Sequence, residues 1–405
     1  MFVVRPAERR DLAALQALVQ TATQGVHTLP RSPEAMERAI EESLAAFAAE
    51  VDMPGEEAYL FVLEHGGAED ADGKLDIAQE SVIAGLAAIH ATAGAAGTFF
   101  AFRNDVIQQV SRDLNISHSV HALTLCSDLS GCSQLSGFYV NHLVQDCVQG
   151  AANAAANDAV HATANASATD AADEVGKLAA AAELLSRARL LFAALSPRRF
   201  SDKFFASLAG VSDAEGRSPF WEALGRKFFQ MDFLQAERVV EGARNRTLIV
   251  ELMPHFPVYV PLLPSEAQAA MGQVHPQGEL PFTLLTREGF FADDYIDIFD
   301  GGPILKAHKT AIRTIATAVR RRVIAGEPDG ADDADGADAA ADIDPTRPSV
   351  TCLVGNTSET RFRAVMVACQ LNDQANALVP SLTLTPQACR ALGVADGDHV
   401  ICVRM

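Results

Sequence analysis

The chain has 405 residues, of which 49% are hydrophobic and 21% charged, the balance of a globular protein with a large buried core. Its 32 Lys and Arg residues against 52 Asp and Glu residues give a net charge of −20, which argues against a nucleic-acid partner. No apolar run is long enough to span a membrane, and Arg5, Arg9 and Arg10 interrupt the apolar stretch of a secretory signal. Seven cysteines without a CxxC pair indicate reduced thiols and no zinc site. We therefore expect a cytoplasmic protein that binds neither nucleic acid, membrane nor metal.

The first part of the chain alternates strand and helix patterns. A short strand at 2–5 leads into a helix that Asp11 caps, and a second helix is predicted over 33–49, with Ser32 before its first proline. Further strands are predicted at 58–64, 81–92, 122–126 and 134–140. His118 and His121 fall in a stretch without a clear period and are predicted to lie in a loop.

A strong helix pattern covers 177–195, with an apolar face that includes Leu184, Leu185 and Leu191. Beyond it, strands are predicted at 203–208, 247–252 and 295–299, and helices at 218–229, 265–271 and 283–288. The last part of the chain has strand patterns at 350–354, 363–369 and 400–403. This mixture predicts an α+β fold followed by a small β-rich module.

Two low-complexity segments interrupt these patterns. Residues 151–175 are rich in Ala and Asn and are interpreted as an insertion. Residues 326–344 hold eight acids and no base, which predicts a disordered acidic linker over 326–348. A calcium site is the alternative, but the Glu that an EF-hand loop needs at its twelfth position is absent. We therefore predict one domain over 1–325, the linker, and a β-rich module over 349–405.

Several long motifs are similar to those of the arginine N-succinyltransferase family. They are GVSDAEGRSPFWEALGRKFFQMDF at 210–233, VELMPHFPVYVPLL at 250–263, GQVHPQ at 272–277, LLTREGF at 284–290 and YIDIFDGGP at 295–303. They follow the family's order and nearly its spacing, and the opening strand, Arg-Pro and helix resembles the start of GNAT acyltransferases. The resemblance implies a GNAT-like mixed sheet with flanking helices. It also implies transfer of succinyl from succinyl-CoA to the α-amino group of L-arginine, or of ornithine, with no other cofactor.

The resemblance implies roles for two residues, one in catalysis and one in acyl-CoA binding. Attack of an amine on a thioester needs an oxyanion donor, a path for the amine proton and an acid for the leaving thiolate. His275, in GQVHPQ, matches the family's proton donor, and its ordinary pKa suits proton transfer. The alternative is a turn or core histidine held by Pro276. Phe138 aligns with a position that contacts succinyl-CoA, and a simple buried aromatic residue is the alternative.

The phosphate-binding loop departs from the family pattern. GNAT proteins bind the CoA pyrophosphate with an Arg-x-x-Gly-x-Gly loop that opens a helix, through backbone N–H groups. Here Lys177 stands in place of the Arg, and Ala180 and Ala182 in place of the two glycines, so we expect weak binding of succinyl-CoA. Two further departures are His90, where the family has Glu, and Ser136 with Gly137, which replace Cys-Thr.

On the acceptor side, a guanidinium pairs with acidic side chains and a carboxylate pairs with Arg or Lys. Glu251, Asp297 and Asp300 are candidates for the first role and Arg103 for the second, and for each a structural ion pair is the alternative. The missing glycines motivate a second hypothesis, in which the chain is a weakly catalytic or non-catalytic subunit that pairs with an active paralogue. The expected assembly is therefore a homo-oligomer or a hetero-oligomer.

Overall fold

The structure is a computed structural model that describes residues 1–23, 29–66, 82–94, 98–113, 115–141, 167–213, 215–240, 251–326, 349–373 and 380–405, with the backbone alone over 167–178 and 237–240. The described strands are β1 (Phe2–Pro6), β2 (Ala58–His65), β3 (Val82–His90), β4 (Ala101–Ser111), β5 (Ile116–Cys126), β6 (Ser133–Val140), β7 (Lys203–Ser207), β8 (Val258–Tyr259), β9 (Phe291–Ile296), β10 (Pro303–His308), β11 (Val319–Ala325), β12 (Val350–Asn356), β13 (Ala364–Asn372), β14 (Ser381–Leu384) and β15 (His399–Arg404). The described helices are α1 (Leu12–Gln20), α2 (Pro33–Ala48), α3 (Ser167–Leu195), α4 (Pro219–Ala223), α5 (Gly225–Phe229), α6 (Phe233–Val240), α7 (Ser265–Ala270), α8 (Glu279–Arg287), α9 (Arg313–Thr317) and α10 (Pro386–Leu392).

Ten strands form the larger part of the sheet, in the order β1-β2-β3-β6-β7-β10-β9-β4-β5-β8. Among these described strands the β6–β7 pair alone is parallel, and the long helix α3 lies between the two strands in the sequence, as a parallel connection requires. The mixed sheet with flanking helices confirms the α+β prediction in outline.

Strand β2 shows why the sheet is covered on both faces. Its sequence AYLFVLEH places Tyr59 and Phe61 in a core with Phe192 of α3, while Val62 faces a second core with Leu15 of α1. Successive side chains point to opposite faces of a strand, so a nearly continuous apolar run requires helices on both sides. Ser32 caps α2, because its Oγ accepts the Ala35 N–H at 3.1 Å, whereas Asp11, the predicted cap of α1, makes no side-chain capping bond.

The C-terminal strands close on one another. β12 pairs with β15, β15 with β11, β11 with β14, β14 with β13, and β13 with β12, which makes a five-stranded ring. The ring includes β11, which ends at the predicted domain boundary, residue 325. That boundary therefore separates β11 from both of its partners, β14 and β15. One pair, Val4 with Ala364, joins the ring to β1.

Two further local predictions are wrong. His118 and His121 lie within β5, which pairs with β4 from Ala101↔Cys126 to Ser111↔Ile116. The predicted helix at 218–229 is two short helices, because Leu224 leaves the helical conformation (φ −123°, ψ −72°).

Helix α3 begins at Ser167, so the last part of the predicted insertion is helical. Residues 151–166 of the insertion and 327–348 of the acidic segment lie outside the described residues, as does most of the predicted strand at 247–252. None of the helices in the described part of the chain is long and apolar enough to cross a membrane.

Candidate active site

A cleft opens where the parallel strands β6 and β7 separate. The strands pair over three residues, ending at Leu135↔Ala206, and β6 then continues to Val140 while β7 ends at Ser207. The cleft is lined by residues 135–138 of β6, residues 206–209, Arg189 of α3, and Gly278, Pro281 and Leu285. Backbone groups on the facing edges of diverging strands do not pair with each other, so an extended ligand can bind between them.

A bulge in β6 lies beside this cleft. Leu86 of β3 pairs with Tyr139 and Ala88 with Ser136, so Gly137 and Phe138 together face one residue of β3. Gly137 has φ +59°, a conformation that glycine adopts without steric cost. Bulges re-aim the backbone next to functional sites, and this one turns the Gly137–Phe138 peptide group away from regular pairing.

The structure places Phe138 in the cleft wall. Its side chain is half-buried, packs on the main core and lies 5.5 Å from the guanidinium carbon of Arg189, measured to the ring centroid. The two interpretations of Phe138 are therefore compatible, because the ring is part of the core and also lines the cleft.

The backbone at His275 is hydrogen-bonded to the residues that follow β7. Its N–H donates to the Ala209 carbonyl at 2.9 Å, and Val274 bridges Gly210. The half-buried ring accepts the Gln277 N–H at Nδ1 (3.2 Å), which places the hydrogen of the neutral ring on Nε2. Burial lowers the pKa of His275 below its ordinary 6.5. The ring is thus neutral at neutral pH. His275 precedes Gly278, a residue of the cleft wall, by three positions in the sequence.

Asp297 and Asp300 are buried, and their carboxylates bind loop backbone and a serine hydroxyl. Asp297 accepts the Ser207 hydroxyl at 3.0 Å and the Phe299 N–H at 2.8 Å. Asp300 accepts the N–H groups of Gly210 at 2.7 Å and Gly302 at 2.8 Å. Each of the four carboxylate oxygens already accepts a hydrogen bond, which favours a structural role for both residues over the guanidinium role. Their function is to fix the backbone where β7 leaves the sheet.

Arg103 and Glu251 do not line the cleft. The Arg103 guanidinium binds Asp105 at 2.7 Å and Asp128 at 2.6 Å, and these carboxylates raise its pKa. Two acids already neutralise its charge, which favours the ion-pair alternative for Arg103. Glu251 is exposed.

The expected phosphate loop is not found at Ala180 and Ala182. Both residues lie well inside α3, which begins at Ser167, and Ala182 is fully buried in the main core. Only the first four N–H groups of a helix lack intrahelical partners, so the amides of these two alanines are used by the helix. The expectation that this helix begins near Ala180 is therefore wrong. Lys177 lies in the same helix, and its side chain is outside the described residues.

Two features of the cleft were missed by sequence reasoning. Arg189 was overlooked because it lies within an apolar helix pattern. An arginine in a helix that is buried on several faces could have indicated a functional residue. His90 and Ser136 were noted as separate departures from the family, yet the structure joins them, since His90 Nε2 lies 2.8 Å from Ser136 Oγ. The two departures are thus one cross-strand contact at the bulge.

Comparison with known proteins identifies the family. The model of the arginine N-succinyltransferase beta subunit matches residues 2–154 and 172–314, and the model of its C-terminal domain matches 337–404. The chain is 40% identical to arginine N-succinyltransferase subunit alpha of Pseudomonas aeruginosa, over 99% of this chain and 98% of that protein. It is 33% identical to arginine N-succinyltransferase of Yersinia pestis, over 100% of this chain and 98% of that protein.

The comparison of structures agrees. The solved structure of arginine/ornithine succinyltransferase subunit AI from Pseudomonas aeruginosa has a TM-score of 0.74 and 37% identity, covering 100% of this chain and 98% of that one. The matches extend over both the larger sheet and the C-terminal ring. The chain therefore belongs to the arginine N-succinyltransferase family of acyltransferases.

Proposed function

We propose that the chain transfers the succinyl group of succinyl-CoA to the α-amino group of L-arginine, the first step of arginine breakdown by the succinyl route. The observation that carries this proposal is the cleft between β6 and β7, with a bulge in its wall, in a member of this family. We infer that this is the acyl-CoA cleft of a GNAT-like fold. The separated strand edges offer backbone groups to the amides of the pantetheine arm.

The reaction forms one bond and breaks one. The amine nitrogen bonds to the thioester carbonyl carbon, the carbon–sulfur bond breaks, and CoA leaves with the electron pair of that bond. Backbone N–H groups at the Gly137–Phe138 bulge would donate to the carbonyl oxygen as it gains negative charge.

The same reaction moves one proton from the amine to the sulfur. We assign His275 to that path, because Nδ1 is fixed by Gln277 and the hydrogen stands on Nε2. As the carbon–sulfur bond breaks, Nε2 gives this hydrogen to the sulfur and then takes up the proton that the new amide nitrogen loses, so the ring returns to its starting form and Nδ1 keeps its bond to Gln277.

The choice of arginine rests on the names of the relatives and on the charge of the chain. Relatives are named for arginine, and the similar solved structure is named for arginine and ornithine. A net charge of −20 favours a cationic acceptor through long-range attraction. Succinyl-CoA would act as a co-substrate and no further cofactor would be required.

The test is release of CoA thiol by the purified chain with succinyl-CoA and L-arginine, with L-ornithine and L-lysine as alternative acceptors. We expect turnover with arginine, formation of N-succinylarginine by mass spectrometry, and a lower rate with lysine. Hydrolysis of succinyl-CoA without transfer to any amine would refute the proposal.

A second candidate function is that of a subunit that needs a paralogue for full activity. The observation in its favour is that Pseudomonas aeruginosa has similar proteins named subunit alpha and subunit beta, at 40% and 35% identity to this chain. Light scattering of the chain alone, and thiol release with and without the purified paralogue from the same genome, separate the two functions. Full activity of the chain alone would remove the subunit hypothesis.

A further inference from the structure

Arg189 is a buried cation that has no acidic partner among the described residues. Its side chain is 2% exposed, and its nitrogens contact the carbonyl oxygens of Ala88 (3.2 Å), Ser136 (3.3 Å) and Ser186 (3.3 Å), and the Ser186 hydroxyl (3.4 Å). No carboxylate in the described part of the chain lies within ion-pair distance of it. The other buried arginines are each paired with Asp or Glu: Arg5, Arg187, Arg199 and Arg321.

This arrangement is costly for the protein on its own. A buried charge without a counter-charge loses its hydration and gains no interaction of similar strength. Charge-assisted hydrogen bonds are usually about 2.7–2.9 Å long. The contacts of Arg189 are longer and involve only neutral groups. Desolvation lowers the pKa of Arg189 to about 9, so the guanidinium still carries its charge at neutral pH. An anion that enters this site would supply the missing counter-charge.

The position of Arg189 in the cleft indicates which part of the ligand carries that anion. Arg189 lines the cleft together with Ser136 and Phe138, on both sides of the Gly137 bulge. A ligand whose thioester lies at the bulge therefore brings the far end of its acyl group within reach of the guanidinium. The phosphates of CoA lie at the opposite end of the pantetheine arm and cannot occupy the same place.

We propose that Arg189 binds the terminal carboxylate of the succinyl group and thereby selects a dicarboxylic acyl donor. The inference rests on the proposed function, because it uses the same cleft for the same thioester. Two methylene groups separate the thioester carbon from the carboxylate of a succinyl group, and the planar guanidinium fork fits a carboxylate in two-pronged fashion. A monocarboxylic acyl group would leave the buried charge unpaired, and a site rejects a ligand that leaves its buried polar groups without partners.

The first experiment uses the unmodified chain. Isothermal titration calorimetry compares succinyl-CoA with butyryl-CoA, which has the same number of acyl carbons but ends in a methyl group. We expect succinyl-CoA to bind roughly 10²-fold more tightly or better, because a charge-assisted pair is gained in a buried site. Equal affinity for the two thioesters would overturn the proposal.

The second experiment uses Arg189→Met, which keeps the length of the side chain and removes its charge, and Arg189→Lys, which keeps the charge and removes the fork. The matched control is Arg198→Met, because Arg198 is exposed and its loss changes the net charge by the same amount. We expect Arg189→Met to lower kcat/KM for succinyl-CoA by roughly 10²- to 10³-fold and to leave butyryl-CoA affinity unchanged or raised. Arg189→Lys should fall between the two proteins. A circular-dichroism melt confirms that each variant is folded; if neither Arg189 variant folds, the calorimetric comparison on the unmodified chain decides alone.

Other outcomes each contradict one specific claim. An equal loss of affinity for both thioesters in Arg189→Met would assign Arg189 to the shape of the cleft and overturn the proposal. A raised KM for arginine but not for agmatine, which lacks the carboxylate, would assign Arg189 to the acceptor and also overturn it. A preference for succinyl-CoA in binding, without transfer to any amine, would refute the proposed function and support this inference.

Discussion

The buried ion pair between Arg187 and Glu288 offers the sharpest test of the packing around α3. The Arg187 Nε atom lies 2.8 Å from Glu288 Oε1, and both side chains are 3% exposed. The other carboxylate oxygen of Glu288 accepts the Thr314 N–H at 2.8 Å, so the pair ties α3 to the end of α8 and the start of α9. Removal of one partner leaves a buried charge with incomplete compensation, which costs about 3–5 kcal/mol.

We therefore expect Glu288→Gln and Arg187→Met each to lower the free energy of unfolding by about 3–5 kcal/mol. The double variant should lose far less than the sum, giving a coupling energy of roughly 2 kcal/mol or more, because no unpaired charge remains. Glu183, which lies 3.1 Å from Arg187 and is 30% exposed, offsets part of the charge in Glu288→Gln. The loss in that variant should therefore fall at the lower end of the range.

The assay is urea unfolding followed by far-ultraviolet circular dichroism and by the fluorescence of Trp221, the single tryptophan in the chain. The matched control is the exposed pair of Arg226 with Glu222, whose nitrogen–oxygen distance is 2.6 Å. Despite that short distance we expect a coupling below about 1 kcal/mol there, since solvent screens the charges. Additive losses at Arg187 and Glu288, within about 0.5 kcal/mol, would refute the reasoning.

Four further predictions concern the cleft and helix α3. His275→Ala should lower turnover by about 10²- to 10⁴-fold with unchanged affinity for succinyl-CoA, and unaltered turnover would remove the residue from the proton path. Because burial lowers the pKa of His275, kcat/KM should fall only as the pH drops below the ordinary 6.5, so an acid limb at or above that value in the pH profile would contradict the assignment. Ala180→Gly with Ala182→Gly should reduce stability by about 1 kcal/mol per residue and leave affinity for CoA unchanged, since both lie inside α3; a calorimetric gain in affinity would restore the loop interpretation. Gly137→Ala should cost about 1–2 kcal/mol of stability at its positive φ and lower kcat, whereas a variant with full activity and stability would show that the bulge tolerates a side chain.

The parts of the fold that depend on local pattern were predictable. Strand β2 and helix α2 follow from a β-branched and aromatic run and from a Ser-Pro start, which act over a few residues. The hairpin of β4 and β5 was not predictable in this way. Its polar residues are held by partners on the neighbouring strand, which a short stretch of sequence does not include. His121 illustrates this, since its ring bonds Asn104 on the neighbouring strand at 3.0 Å.

The same distinction applies to the candidate site. Motifs located Phe138 and His275, because the residue types and their neighbours are visible in the sequence. They could not reveal the partners of Asp297 and Asp300, because Ser207 and Gly210 are about ninety positions away in the chain. The unpaired charge of Arg189 is a property of the assembled core, since only three-dimensional packing shows that no acid among the described residues reaches it.

The ring of C-terminal strands has a consequence for the order in which the chain is made. β11 is synthesised well before its neighbours β14 and β15, and the ring cannot close until residues 399–404 have left the ribosome. Until then β11 presents two open edges, each able to recruit a strand from another nascent chain. A fragment that begins at residue 337, where the C-terminal family domain begins, would leave the facing edges of β14 and β15 bare. Such a fragment should aggregate on its own and become monomeric when a peptide of residues 319–325 is supplied.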